Sequence, residues 1–384
     1  MRACRTLDYR GSDHVCGPGP RAVEDLGAGD PPRPGHRDPA GGTQLRRRPV
    51  QAALLLVLGL LILVGLLRSV HPAEVAAAIG HASLGPLVLG MLSALAFLGL
   101  RGWRWKLILD ASAPNARVGD ATAVTAVGFA VNAVAAFKVG EILRMAAIAP
   151  RAGIAVGEAG GTVVVERVLD VLALLVLAVG AAAFSGAAAA GAGLWGGVAA
   201  ISGLFLAIGV VAFILASHPA PTLKAWSRLT SHLPLRMQQG AQDLAASVLR
   251  GFSALLSGRR LAAVVGLSFL VWIAAELGLY AYFRSLTTQL PAATLFLALV
   301  LFTVSQAVSI TPGSVGTYEG FFLLVLTPFG AHPASLVTAV AILSHVAGIL
   351  AYLFAGALGA LWLRFASASA PVRSERPLPS QDRA

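Results

Sequence analysis

Between positions 50 and 363 long apolar runs alternate with short polar segments, and this pattern limits what the chain can fold into. The runs cover about 50–67, 84–100, 118–137, 161–184, 194–216, 261–283, 292–310, 319–330 and 335–363. A helix of roughly 20 apolar residues crosses the hydrocarbon of a bilayer, and several runs reach that length. Backbone groups inside lipid must bond internally, so such segments are helical. Only 12% of the residues are charged and 57% are apolar, with a mean hydropathy of +0.76. These values exclude a soluble globular domain, a disordered chain and a disulfide scaffold. The expected fold class is an all-α polytopic membrane protein.

The net charge of +11 would point to nucleic acid in a soluble protein. Here it fits arginines in cytoplasmic loops and attraction to anionic headgroups. No basic domain interleaved with aromatics is present, so no nucleic-acid partner is expected. Cys4 and Cys16 both lie in the polar N-terminal stretch, where a structural disulfide is not expected. Residues 1–45 are rich in Arg, Gly, Pro and Asp and read as a disordered tail, not a signal peptide. A start site downstream of Met1 is the alternative. Residues 46–367 read as the membrane domain and 368–384 as a second disordered tail.

Basic residues set the orientation. Arg46, Arg47 and Arg48 place the first span's N-terminus in the cytoplasm, and Arg68 to Ser83 outside. The second span ends at Arg101-Gly-Trp-Arg-Trp-Lys106, which reads as tryptophans and cations at the cytoplasmic interface. The 217–260 loop carries Lys224, Arg228, Arg236, Arg250, Arg259 and Arg260 against Asp243 alone, and is expected inside. Met237, Leu244, Val248, Phe252 and Leu255 recur in it at helical spacing. That predicts an amphipathic helix, on the inner leaflet or against the protein's own underside.

These assignments leave residues 107–160 starting and ending inside, and 292–330 starting and ending outside. Each then reads as a re-entrant helical hairpin, the two oppositely oriented. About six full spans remain, with both termini cytoplasmic, in a bacterial-type inner (plasma) membrane. On this topology Arg68 and Arg284 are the only external basic residues after Arg48. Opposed broken helices mark inverted-repeat transporters, whose polar site lies where the repeats meet. Both hairpins are therefore expected to line a cavity.

Ionisable side chains inside a membrane are costly and so are functional candidates. One group is Asn132, Lys138, Gly140, Glu141 and Arg144, with Glu141 and Arg144 three apart on one helical face. A second is Glu166, Arg167 and Asp170. Its two acids, four apart, repel unless Arg144, Lys138 or Arg167 joins them. The third is Pro312, Gly313, Gly316 and Glu319, where helix breakers surround an acid. The bland alternative is that these charges only lock helices together. Glu158 and Glu276 are weaker candidates, and Asn132 alone is more often interhelical glue.

In this order the three groups resemble the flippase-like transmembrane family, which includes the membrane half of lysylphosphatidylglycerol synthases. The family pattern is Asn, then Pro-x-Arg/Lys-x-Gly-Glu-x-x-Arg, then Glu-Arg-x-x-Asp, then Pro-Gly-x-x-Gly-x-x-Glu. It falls on Asn132, Lys138, Gly140, Glu141, Arg144, Glu166, Arg167, Asp170, Pro312, Gly313, Gly316 and Glu319, and the likeness spans about 50–365. Ala136 replaces the family proline of the first motif, and His345 stands where the family leads one to expect an arginine. The resemblance implies movement of a lipid, often with a modified headgroup, between leaflets. Arg144, Arg167 and Lys138 would meet its phosphate, and Glu141, Asp170 and Glu319 a cationic or hydroxylated head or protons. It also implies a stand-alone member without the synthase half, served by a separate lipid-modifying enzyme and open to homo-oligomerisation.

Other readings compete. Ser314 and His345 could form the dyad of an intramembrane serine protease, although Pro312 stands where a Gly-x-Ser motif wants glycine. A membrane scaffold or regulator of an envelope-lipid enzyme is also open. The sequence lacks Gly-x4-Gly-Lys-Ser/Thr for ATP and His-Glu-x-x-His for zinc, so no metal, cofactor or catalytic role is expected.

Overall fold

The computed structural model describes residues 39–368, except 111, 115, 136–137, most of 186–216, 256–257, 288 and 309–310. By its contacts the chain divides into Met1–Arg48 and Pro49–Ala384. In the first unit the described residues, 39–48, are helical. The buried core lies in the second. Every regular element among the described residues is a helix.

Helix α1 (Pro39–Ser69) begins inside the stretch that composition assigns to the N-terminal tail. It bends by 91° into the short α2 (Pro72–Gly80). The segment expected as an external connection is thus partly helical, and it is anchored by buried Val75 against α12. Helices α3 (Leu84–Leu109), α9 (Gly258–Arg284) and α12 (Ala334–Ala368) have the length and apolarity to cross a membrane. The bent α1–α2 pair makes a fourth if it counts as one span. By this measure the described residues hold three or four candidate spans, against about six expected for the whole chain. Helix α6 (Val156–Phe184) has 29 residues, but Glu158, Glu166, Arg167 and Asp170 sit in its N-terminal half. The run 194–216 lies largely outside the described residues.

The remaining apolar runs are broken. The run expected at 118–137 is a 15-residue helix, α4 (Val118–Asn132), followed by a turn and α5 (Val139–Ala152). Asn132 ends α4, and its Oδ1 accepts the Gly140 N–H at 2.7 Å. Lys138 enters α5 from a left-handed conformation, φ 51°. The second break separates α10 (Ala292–Ser305) from α11 (Thr317–Leu326). Its tip turns through Gly313, Ser314 and Gly316, with φ of 58°, 58° and 76°, a region that glycine reaches without a Cβ penalty.

The two tips touch. The Gly313 N–H points at the Ala135 carbonyl at 3.4 Å, and Lys138 Nζ reaches the Ala307 carbonyl at 3.5 Å. Gly316 lies so close to Gly59 of α1 that a Cβ on it would strike the Gly59 carbonyl.

Apolar burial concentrates where these pieces meet α12. Phe302 and Phe322 pack edge-on at 4.8 Å within a core that includes Phe283, Leu299 and Val340. Lipid is as apolar as leucine, so van der Waals fit and polar bonds hold such helices together. One such bond runs from Ser93 Oγ to the Ala274 carbonyl at 2.6 Å, joining α3 to α9.

The 217–260 stretch forms α7 (Pro219–Leu229) and α8 (Leu235–Leu255). Helix α8 packs against α6. Ser247 Oγ donates to the Glu158 carbonyl at 3.1 Å, Arg250 pairs with Glu158 at 3.1 Å, and Leu249 is buried. Met237 and Leu244 stay exposed; the side chains of Phe252 and Leu255 lie outside the described residues.

Candidate functional site

Seven charged side chains converge where α3, α5 and α6 meet. The two acids four apart on α6, Glu166 and Asp170, face inward together, and both are buried. Two like charges on one buried face require cations, and the structure supplies them mainly from α3. Arg101 Nη2 lies 2.5 Å from Glu166 Oε1 and 2.6 Å from Asp170 Oδ2. Arg104 donates to the other Asp170 oxygen at 2.6 Å and to Ser268 Oγ at 3.1 Å. Trp272 of α9 adds an indole N–H to Asp170 Oδ1 at 3.1 Å.

This corrects the reading of the 101–106 segment as an interfacial belt. Trp103 does point outward, 52% exposed, but Arg101, Arg104 and Trp105 turn into the protein. The arginines are three apart and share a helix face, which is the sequence signal that they have one destination. The partners expected for the acids were Arg144, Lys138 or Arg167. Arg144 and Arg167 do contribute, but Lys138 does not pair with them.

From α5, Arg144 reaches Glu166 Oε2 at 2.9 Å and Glu141 Oε2 at 3.1 Å. Its guanidinium lies 4.2 Å from the centre of the Trp105 ring, an arrangement that favours a cation over the ring face. Trp105 is fixed in turn by its N–H to Thr162 Oγ1 at 3.0 Å. The stem of Arg144 passes Gly128 so closely that a Cβ there would meet Arg144 Cγ at 2.5 Å. Arg101 is likewise ringed by Phe97, Phe129 and Trp272, with centroids at 5.5, 5.3 and 5.9 Å.

Arg167 closes the cluster on its open side. It reaches Glu141 at 3.0 Å and Asp170 at 3.4 Å, and its side chain is 44% exposed, against 5% or less for Arg101, Arg104, Arg144, Glu166 and Asp170. Four guanidinium groups face three carboxylates here, so the cluster carries a formal excess of one positive charge. Lys138 adds a second cation at the adjoining tip. Its side chain is exposed, and its ammonium has turned to the Ala307 carbonyl. Such an arrangement can accept an anion at its open edge without breaking its buried bonds.

The other expected residues are placed apart. Asn132 and Gly140 shape the first break. Glu319 sits at the second break, where its Oε2 accepts the Gly316 N–H at 2.8 Å and its Oε1 lies 2.7 Å from His345 Nδ1. Pro312, Gly313 and Gly316 form that tip. Glu158 ties α6 to α8 through Arg250. Glu276 is fully buried in α9 and makes no ion pair among the described residues. Arg101, Arg104, Trp105 and Trp272 are the site residues that sequence reasoning missed. Among the described residues no group of three or more His, Cys, Asp or Glu side chains has the geometry to hold a metal ion.

Residues 50–356 match the family described as the lysylphosphatidylglycerol synthase TM region. No curated protein matches the chain.

Proposed function

We propose that this chain, which belongs to the lysylphosphatidylglycerol synthase transmembrane-region family, moves a lipid with an anionic polar headgroup between membrane leaflets. The observation that carries this reading is the positive excess of the α3–α5–α6 cluster, open at Arg167 and adjoining two helix breaks whose tips touch. A headgroup crossing ~30 Å of hydrocarbon needs a polar lining, while its acyl tails can remain in lipid. Arg167 and Lys138 are the cations exposed to meet a phosphate. Glu141, 19% exposed beside Arg167, is placed to meet a cationic or hydroxylated substituent.

In this reading α4–α5 and α10–α11 are oppositely oriented re-entrant hairpins in a plasma-membrane protein with cytoplasmic termini. A separate enzyme makes the modified lipid, and the chain itself performs no covalent chemistry. The protease alternative is disfavoured by geometry. Both ring nitrogens of His345 are occupied, by Glu319 and by the Gly313 carbonyl, and neither is left to activate a serine.

The test is leaflet redistribution in proteoliposomes, with headgroup-labelled anionic and lysyl-modified lipids. Wild-type protein should accelerate redistribution of at least one of them, and Arg144→Ala and Glu319→Gln should abolish it. Folded protein that moves none of these lipids would overturn the reading in favour of a scaffold.

A further inference from the structure

At the second break, one imidazole and one carboxylate hold the tip between them. His345 Nε2 lies 2.8 Å from the Gly313 carbonyl oxygen, and Nδ1 lies 2.7 Å from Glu319 Oε1. A carbonyl oxygen only accepts, so Nε2 carries a hydrogen. The Nδ1···Oε1 distance is that of a hydrogen bond and needs one further proton between the two atoms. Without it one ring nitrogen would turn its lone pair to an acceptor, the Glu319 carboxylate or the Gly313 carbonyl, in a site where the two side chains are only 11% and 5% exposed. Whichever atom holds that proton, the pair is neutral as a whole and binds one proton more than an imidazole beside a carboxylate.

We propose that His345 and Glu319 together form a binding site for one proton, and that loss of this proton releases the tip at 313–316. The remaining bonds make the link mechanical. Glu319 holds the tip through the Gly316 N–H, and His345 holds it through the Gly313 carbonyl. Gly313 also meets the other tip at Ala135, and Gly316 packs on Gly59. Once the shared proton leaves, the one hydrogen left on the ring cannot serve both nitrogens, so a lone pair faces either the Glu319 carboxylate or the Gly313 carbonyl and one hold on the tip is lost. Tyr318 stacks on the His345 ring at 4.3 Å and is fixed by Ser344 at 3.1 Å, so the ring cannot readily turn away to relieve the repulsion.

Other ionisable groups on the elements packed against α12 are engaged elsewhere or make no ion pair with His345 among the described residues. Glu74 of α2 pairs with His71. Arg101 and Arg104 of α3 belong to the α6 cluster, and Lys106 pairs with Asp110. Asp120 of α4 accepts the Trp362 indole. On α9, Arg284 donates to the Leu290 carbonyl, and Glu276 and Tyr282 are buried without an ion pair. Tyr352 of α12 itself packs on Phe129. The proton therefore belongs to the His345–Glu319 pair. That its release is a step in moving lipid rests on the function proposed above.

The experiment is amide hydrogen exchange of the full chain in lipid nanodiscs across a pH series, corrected for the intrinsic exchange rate and read at Gly316. Wild-type protection should fall by about tenfold or more as pH rises, the loss expected for one buried charge-assisted bond. Glu319→Gln should stay protected at every pH. Its amide nitrogen can donate to Nδ1 and its oxygen can accept from Gly316, so it reproduces the protonated pair permanently. His345→Gln should show weaker protection that does not vary with pH. A wild-type protein whose Gly316 protection is independent of pH overturns the proposal, and so does an unchanged pH response in either variant. Protein that shows the pH response yet redistributes no lipid keeps the proton site and overturns the transport reading instead.

Discussion

Arg104 donates to Asp170 at 2.6 Å from a side chain with no exposed surface. The same carboxylate receives Arg101 at 2.6 Å and Trp272 at 3.1 Å. Asp170 is thus the point at which α3, α6 and α9 are joined by charge. Asp170→Ala would leave two buried guanidinium groups without it, and should cost about 3–5 kcal/mol of stability, the range for breaking a buried pair. Arg104→Met combined with Asp170→Leu should recover part of that loss, because removing both charges leaves less unpaired. Thermal unfolding of the three proteins in one detergent checks this; equal losses for the single and the double replacement would count against it.

Arg167 belongs to the same cluster but stands at its edge. Exposed ion pairs contribute about 0–1 kcal/mol, so Arg167→Ala should leave thermal stability nearly unchanged. Its effect on lipid redistribution should be large, about 10- to 100-fold, if it supplies one charge-assisted bond to a phosphate. Arg167→Lys should restore only part of the rate, since a lysine offers one point charge where arginine offers a planar fork. A rate unaffected by Arg167→Ala would remove this residue from the headgroup path.

Part of this site is readable in the sequence and part is not. Glu141 and Arg144 are three apart and do pair, at 3.1 Å. Glu166 and Asp170 are four apart, which predicts a shared face and a need for cations. The identity of those cations is not local information. Arg101 and Arg104 lie more than 60 residues before their acids, and a tryptophan–arginine segment at the end of an apolar run looks the same whether it faces headgroups or the protein. The two helix breaks are legible because Asn132 and Gly140 flank the first and Pro312, Gly313 and Gly316 stand in the second. That the two tips touch is not, since neither carries a pattern naming the other. The pairing of His345 with Glu319 has the same character: each is unusual in its helix, but only the fold brings them to 2.7 Å.

The approach of α4 to α5 makes a separate prediction about the first break. A Cβ on Gly140 would run into the Gly128 carbonyl, a backbone atom that cannot rotate aside. Gly140→Ala should therefore destabilise by about 1–3 kcal/mol through overpacking and should pull Arg144 away from Glu166. Asn132→Ala removes only the bond to the Gly140 N–H and should cost about 0.5–2 kcal/mol, as for the loss of a side-chain cap. Unfolding midpoints in detergent rank the two; a smaller loss for Gly140→Ala than for Asn132→Ala would contradict the packing argument.

Two glycines four residues apart at the second break should respond to alanine with opposite sign. Gly316 has φ 76°, and a Cβ on it would collide with the backbone of α1 at Gly59. Gly316→Ala combines left-handed strain, of order 1–3 kcal/mol, with a clash that only displacement of α1 or the tip can relieve. Gly320 lies inside α11, and a Cβ there would meet nothing nearer than Ile62 Cγ2, at 3.9 Å, an ordinary contact. Alanine at that position removes the glycine penalty within a helix, about 0.8–1.0 kcal/mol, and fills space next to Ile62. Gly320→Ala should thus raise the unfolding midpoint while Gly316→Ala lowers it, measured on the two proteins side by side. If both substitutions lowered it equally, the close approach of the tip to Gly59 would not be the feature that fixes the second break. With opposite signs, the backbone conformation at 316, rather than glycine content as such, accounts for the stability of the tip that Glu319 and His345 hold.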